Sequence, residues 1–570
     1  MSSARSITET PNALSANIDL QSPLGIVRIL EQTDAQIFSG FENYPRLGDP
    51  ATLENLASLA RRAAQTIKSP KGRIVLSGAG TSGRLAMFGA RVFNLLHPRA
   101  GDPVFRYLIA GHTPALIQAQ EGAEDSPTQG IADLDEVTAG ATDIFYVGIT
   151  CGLSAPYIAG QLEHLLPREN AFSVLMGFNT VELARNTPIE NWHHSFRDTA
   201  EMVDAAPNAA LLNPVIGPEP ITGSTRMKSG SATKILVEIL FHAALRLARG
   251  EMQDTETTDY LRGLIVAYGK AVQSTYAKSA EIANLVELGG KTLRAHGHIY
   301  YLGAAGLNQA GEFVGDTNAG ILGLIDASEC PPTYGADFED VRGFLKGGWE
   351  ALLPGTGSDL SPRGGHFQIA IGDFVRGKLP SLTENDIVVL LGDFAGRDKL
   401  LPEIAAKKAA IADIRWDGSA GQGRVNIALD GSPHPELGAA LLELQIKLVI
   451  NALTTGAHVL VGKVFGNRMV DLRISNNKLF HRTVGIIGDL MKVSPETARE
   501  SLLKSAFQTD QLTAEQANAS ISDCIEAAKH VEKVVPKALL LSTGAFNVAS
   551  ASAALRENPI VRSVLEKHIR

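Results

Sequence analysis

The stretch Arg73-Ile74-Val75-Leu76-Ser77-Gly78-Ala79-Gly80-Thr81-Ser82-Gly83-Arg84 decides the fold. An apolar run suited to a buried strand leads into a glycine turn, and an Ala/Met/Phe/Val-rich helical pattern continues to about Leu96. Strand, tight turn and helix N-terminus together make an anion site, because unpaired backbone N–H groups and the helix dipole converge on one point. Glycine lets the backbone approach the anion closely. The hydroxyls of Thr81 and Ser82 add donors of the kind a phosphate ester needs. The reading is a phosphate-binding loop made of Gly80, Thr81, Ser82 and Gly83. The same G-x-G-x-x-G spacing fits a dinucleotide fingerprint, which needs an acidic residue at the carboxyl end of the second strand to hold the ribose. Asp102 lies at about the right distance but precedes the next apolar run, Val104–Ala110, and is therefore at the wrong end. A phosphorylated small molecule is favoured over a nucleotide, and a purely structural turn is the remaining reading.

The neighbouring segments extend the pattern. Asp143–Ile149 reads as a second buried strand and runs into Thr150-Cys151-Gly152-Leu153-Ser154, again small and hydroxylated. Ser173–Phe178 reads as a further strand. Strands alternating with helices predict a parallel, doubly wound sheet whose ligand sits at the carboxyl ends of the strands. A stretch carrying Glu121-Gly122-Ala123-Glu124-Asp125 is expected on a helix, where a solvated glutamate is the bland reading of Glu124. Gly217–Ser231 is dense in Gly, Ser and Thr, includes Ser224, and opens a long helix expected from about Ala232 to Arg249. Cys151, inside the second hydroxyl loop, reads as a small buried filler.

A second unit begins near residue 285. His298–Gly303 and Asp386–Leu391 read as strands, and Ala304-Ala305-Gly306 as a glycine loop without the Thr-Ser pair, so the unit looks like a diverged internal repeat. From about Asn451 the pattern is helical, with Lys478 and Arg482 one turn apart. The expected organisation is an N-terminal arm over 1–50 with a short helix near Leu24 to Gln36, a first domain over 51–255, a second over 285–450 and a helical C-terminal cap over 451–570.

Whole-chain properties narrow the function. At 570 residues the chain exceeds one ordinary core. A net charge of −9 with no long basic run makes nucleic acid and anionic membranes poor partners. Cys151, Cys330 and Cys524 are far apart, and none of the 14 histidines forms H-x-H or H-E-x-x-H, so neither a disulfide framework, nor a metal, nor a cofactor is expected. Residues 1–20 lack an apolar core of the signal-peptide type, which points to the cytoplasm, or to nucleus and cytoplasm in a eukaryote.

Gly78–Arg84, Glu121–Asp125, Gly217–Lys228, Asp326–Gly335 and Gly462–Lys478 together resemble the N-acetylmuramic acid 6-phosphate etherases of the sugar isomerase (SIS) superfamily. The two-domain layout with a helical cap is similar instead to the glucokinase regulatory protein family. Gly152–Pro156, Met176–Asn179, Ala184–Asn186, Gly335–Phe338, Asp340–Gly343 and Leu472–Asn476 match it as well. The resemblance implies an α/β protein: two tandem SIS domains, each a flavodoxin-like, doubly wound parallel sheet, plus a helical cap. It implies a monomer with an internal pseudo-dimer. In the etherases the acid glutamate lies in Ser-Glu-Cys-Pro-Pro, soon after the phosphate loop. Here the first domain has Phe88–Val92 at that place, and the second keeps Ser328–Pro332 without the Thr-Ser loop. One complete site per chain is expected, with loops from the first domain and Glu329 from the second.

By resemblance, Glu124 is the base at C2 and Glu329 the acid at the departing ether oxygen when a D-lactyl ether is eliminated and water then adds. Gly80, Thr81, Ser82, Gly83, Glu121, Thr150, Cys151, Gly152, Ser154 and Ser224 would hold the substrate, with Lys478 as counter-charge. Substrate and partner follow the same resemblance. They are N-acetylmuramic acid 6-phosphate for an etherase, or fructose 6-phosphate together with a glucokinase for a non-enzymatic regulator. The intact Ser328–Gly335 motif and His481, standing where animal regulators carry tryptophan, favour the etherase. The fused two-domain architecture favours the regulator.

Overall fold

The computed structural model describes residues 5–99, 101–120, 122–306, 318–330, 340–431 and 434–568, excepting the side chain of Lys478. Two helices come first, α1 (Pro23–Ser39) and α2 (Pro50–Lys68). The first sheet unit follows as β1 (Gly72–Gly78), α3 (Thr81–Leu96), β2 (Phe105–Ile109), α4 (Pro127–Thr138), β3 (Asp143–Ile149), α5 (Pro156–Leu165), β4 (Ala171–Met176), α6 (Phe196–Ala205) and β5 (Ala209–Leu212). Three long helices, α7 (Lys228–Arg249), α8 (Thr257–Tyr276) and α9 (Ser279–Arg294), lead to the second unit. That unit runs β6 (Ile299–Gly303), α10 (Ala319–Glu329), β7 (Val341–Leu345), α11 (Gly348–Leu352), α12 (Ile371–Gly377), β8 (Ile387–Leu391), α13 (Arg397–Ala406), β9 (Ala410–Arg415) and β10 (Val425–Ala428). Helix α14 (Gly438–Leu460) connects it to a short hairpin, β11 (Val464–Phe465) and β12 (Arg468–Met469). The helical cap then opens with α15 (Asn477–Met491) and α16 (Pro495–Phe507).

Both sheets are parallel throughout and share one topology. The first is ordered β2-β1-β3-β4-β5 and the second β7-β6-β8-β9-β10, each with its first strand second from one edge. β1 is buried from end to end, as a strand covered by helices on both faces must be, which is why it reads as one unbroken apolar run. The ladders put Gly78 beside Ile109 and Ile149, and Gly303 beside Leu345 and Leu391. These two glycines are therefore equivalent. Two tandem doubly wound sheets with a helical C-terminal region are the observed fold.

The two sheet units share one apolar core, in which Phe93 and Phe241 from the first lie in a continuous cluster with Leu324, Ile446 and Leu453 from the second half. The cap packs round a cluster of its own, including Ile487, Leu502 and Leu539. Helix α1 is the helix expected near Leu24 to Gln36 within the N-terminal stretch, and its Ile26, Val27 and Ile37 are fully buried in the shared core. The helix α14 crosses residue 450, the expected start of the cap, without a break. Two further expectations change. The Glu121–Asp125 stretch is not on a long helix: Gly122 is left-handed (φ 71°), Ala123–Asp125 form a single 3-10 turn, and α4 starts only at Pro127, with the Ser126 side chain accepting from Gln129 N. The helix expected from Ala232 begins at Lys228, because the buried Glu219 carboxylate accepts from the backbone N–H groups of Lys228 and Ser229 (both 2.9 Å).

Candidate functional site: a cavity where the two domains meet

The glycine loop is built as its sequence requires. Gly80 stands before α3 with φ 53°, a backbone conformation that favours glycine, and a Cβ on Gly83 would lie 2.5 Å from the Ile109 side chain. Thr81 and Ser82 open α3. The Ser82 hydroxyl lies 3.8 Å from the Cys151 sulfur, so the two hydroxyl loops touch. The Thr150 hydroxyl accepts from the backbone N–H groups of Ser154 (3.2 Å) and Ala155 (3.3 Å), which folds the second loop back toward the first. A small cavity of about 50 Å³ lies between them, lined by Ser82, Glu124, Thr150, Gly152, Ser154 and Arg185. It opens beside a larger cavity of about 520 Å³ that Gly80, Thr81, Ser82 and Ser224 line from the first domain, Ser328 and Glu329 from the second, and Asn476 and Arg482 from the cap.

Glu329 is the last residue of α10, and its Oε1 lies 3.9 Å from the position a Cβ on Gly80 would take. The carboxylate of one domain thus stands at the phosphate-type loop of the other. It forms an ion pair with Arg84 of α3. Arg84 is buried, donates from Nε to the Leu116 carbonyl (2.8 Å), and burial draws its pKa down to about 10. Glu124 accepts from Asn476 Nδ2 at 2.9 Å, and that asparagine also caps α15 by accepting from Leu479 N (2.9 Å). The neighbouring Asp125 is pushed above the usual carboxylate range, first by burial and then by the charge of Glu124. Deeper in the wall, Arg226 holds the buried Asp326 (2.9 Å), which also accepts from Tyr301 and Thr454.

Of the residues singled out in the sequence, Gly80, Thr81, Ser82, Glu124, Thr150, Cys151, Gly152, Ser154, Ser224 and Glu329 come together on these two joined cavities. Gly83 lies one step behind the wall and packs α3 on β2. Glu121, the side chain of Lys478 and the Pro331–Gly335 part of the motif after Glu329 lie outside the described residues. Asp102 is at the far end of the sheet, paired with Arg73 (2.7 Å) and Arg106 (2.9 Å). Among the described residues no three His, Cys, Asp or Glu side chains are grouped as a metal cage. Sequence reading left several contributors unassigned, among them Arg84, Arg185, Asn476 and Arg482. Arg84 closes the quoted glycine stretch, and the loop motif was signal enough to consider it. The other three come from segments that only the fold brings near.

Among the described residues, the second unit's loops differ in make-up. Position for position along the ladders, Gly392-Asp393-Phe394-Ala395-Gly396 stands where Thr150–Ser154 stands in the first. Gly83 and Gly320 both press on the strand before their helix. Nine residues on from them stand Val92 in α3 and Glu329 in α10. Each half has lost what the other keeps.

Three family models match the chain: the glucokinase regulatory protein N-terminal SIS domain over residues 58–166, its second SIS domain over 276–423, and its C-terminal lid domain over 466–565. The glucokinase regulatory protein of Xenopus laevis is 35% identical, with 98% of this chain and 92% of the relative covered. That of Mus musculus is 36% identical over 94% of this chain and 88% of its own. The N-acetylmuramic acid 6-phosphate etherase of Vibrio vulnificus (strain YJ016) is 32% identical, but over only 45% of this chain and 76% of the enzyme. The double-domain chain, with its lid, belongs to the glucokinase regulatory protein family.

Proposed function

We propose that the chain is a phosphosugar sensor. It binds a hexose phosphate of the fructose 6-phosphate kind in the cavity between its domains, and the occupied state inhibits a glucokinase. One observation carries this reading: the hydroxyl loops of Thr81–Ser82 and Thr150–Ser154 and the Glu329 carboxylate, from opposite halves of the chain, line joined cavities. In this reading the phosphate sits against the loops, with Arg185 beside it. Gly80, Gly83 and Gly152 give the backbone its close approach, and Ser224 adds a hydroxyl. Cys151 fills space between the loops. Glu124 and Glu329 accept from sugar hydroxyls. Glu121 and Lys478 belong to the same proposal on the sequence alone. The chain is a monomer with one site. The length of the match to regulators, against the partial match to etherases, supports this choice.

A second reading keeps the etherase chemistry, because Glu124 and Glu329 both line the cavity, as a base at C2 and an acid at the ether oxygen would. One experiment separates the two. Fructose 6-phosphate and N-acetylmuramic acid 6-phosphate are each added to the purified chain. Melting temperature, D-lactate release and the activity of an added glucokinase are then followed. A sensor is stabilised by about 2.7 kcal/mol at a hundredfold excess of fructose 6-phosphate over its Kd, inhibits the kinase in proportion to occupancy and releases no lactate. Lactate release that Glu124→Gln or Glu329→Gln abolishes would establish the etherase instead.

A further inference from the structure

We propose that Arg84 is the positioning residue of the site: a buried guanidinium on the phosphate-loop helix clamps the Glu329 carboxylate of the other domain and aims it at the sugar as a hydrogen-bond acceptor. This rests on the phosphosugar reading of the cavity. The geometry is specific. Arg84 sits in the first turn of α3, three residues after Thr81, with its side chain only 2% exposed. Nε is held by the Leu116 carbonyl (2.8 Å), which fixes the plane of the fork. One terminal nitrogen pairs with Glu329. The other, Nη2, is buried with no hydrogen-bond partner among the described residues, in a side chain that forms part of the cavity wall. A buried donor left over beside a carboxylate is the arrangement that a ligand oxygen completes.

Other charges face the same space from each surrounding element, and they do not replace Arg84. The turn before α4 supplies Glu124, which is held by Asn476. The loop before α7 supplies Arg226, which is committed to Asp326. β7 and the segment after α11 bring Arg342, whose Nη2 donates to the Gly365 carbonyl, and His366. His458 of α14 stays neutral, because burial draws its pKa down to about 3. From the hairpin and cap come Lys463, whose pKa burial lowers, Arg473 beyond the hairpin, and Arg482, which is bound to Glu9. A carboxylate locked to a buried guanidinium gives up its proton at low pH, so it serves poorly as an acid for a departing ether oxygen and well as an acceptor.

The test is calorimetric titration of fructose 6-phosphate into the full chain across about pH 5.5 to 8.5, a range that spans the second ionisation of the phosphate near 6. Wild type, Arg84→Met, Glu329→Gln and the double variant are compared. Wild type and Glu329→Gln are expected to share one profile, set by the ligand. Arg84→Met is expected to lose at least tenfold in affinity, most at the upper end of the range where the phosphate is a dianion, because the Glu329 charge beside it is no longer countered by a guanidinium. The double variant is expected to recover the wild-type profile. Should the methionine variant not fold, Arg84→Gln, which can still donate to the Leu116 carbonyl, reads the same profile. Wild-type pH dependence in these Arg84 variants would overturn the proposal while leaving the phosphosugar reading intact. A wild-type chain that bound no fructose 6-phosphate would remove that reading and this proposal together.

Discussion

The Arg91 guanidinium, carried by α3 of the first domain, donates to the carbonyl oxygen of Ala305 at 2.9 Å, and Ala305 is the residue of the second glycine loop that matches Gly80 of the first. The same guanidinium reaches Asn318 Oδ1 (2.5 Å) and the Ala351 carbonyl (3.2 Å). Asn318 in turn donates to Glu443 (2.6 Å), which accepts from Lys234 of α7 (2.9 Å). A loop that turns a carbonyl toward a resident cation offers an anion nothing at that point. Arg91 thus ties the first domain to the second at the start of that loop.

Replacing Arg91 by methionine leaves two buried carbonyls and the Asn318 side chain without this donor. A buried acceptor left unpaired costs about 1–3 kcal/mol, and urea unfolding of Arg91→Met should show a loss of at least that order. A loss below about 1 kcal/mol, the scale of a surface contact, would mean that the network does not hold the domains.

Loop variants should separate the two halves. Thr150→Val removes the acceptor for Ser154 N and Ala155 N, which costs about 1–3 kcal/mol of stability. It should also weaken fructose 6-phosphate binding more than tenfold. Asp393→Asn, in the matching loop of the second domain, should leave binding unchanged, and titration should return one site per chain. Equal effects from the two substitutions would refute the assignment of the site to the first domain's loops.

The contrast between these halves shows what was legible beforehand. The β1–loop–α3 unit declared itself because a strand buried on both faces, a positive-φ glycine and a helix start are all local properties. β5 and β10 escaped notice as four-residue edge strands that are only partly buried, and β7 is broken up by Arg342 and Gly343. The acidic run at 121–125 suggested a helix, but Gly122 and Pro127 confine it to one turn. The complementary loss of motifs was visible in the chain. The Arg84–Glu329 pair and the Arg91 contacts with Ala305 and Asn318 were not, since they join residues far apart in sequence and depend on how two sheets face each other.

His458 predicts an acid-side weakness. Its Nδ1 bonds to the Thr454 carbonyl (2.7 Å), and burial, followed by the charge of Lys463, lowers its pKa to about 3. The folded form therefore holds it neutral, while the unfolded chain protonates it near 6.5. Stability from this group is complete above about pH 6.5 and declines as pH falls toward 3, by about 1.4 kcal/mol per pH unit. Urea midpoints at two acid pH values should fall less steeply in His458→Met than in wild type. Parallel slopes would show that the histidine titrates normally in the folded chain.

Residues 5–9 act as a strap between cap and first domain, and Glu9 is its clasp. Arg482 of α15 grips Glu9 through Nε (2.9 Å) and Nη2 (2.6 Å), and its Nη2 also donates to the Gly223 carbonyl (2.9 Å). Gly223 N donates back to the Thr8 carbonyl (3.0 Å), Ile7 N to Asn179 Oδ1 (3.1 Å), and Arg5 pairs with Asp489 farther along α15. The Glu9–Arg482 pair is partly buried, so its loss costs more than the 0–1 kcal/mol of an exposed pair and less than a fully buried one, about 1–2 kcal/mol. Glu9→Gln should loosen the cap rather than the sheets: faster hydrogen exchange in α15, with β1 and β6 unchanged. Added salt should narrow the difference between the variant and wild type, because a pair that keeps some solvent contact is screened. Exchange that quickens equally in β1 and α15 would mean that the strap stabilises the whole chain and that the cap does not move separately.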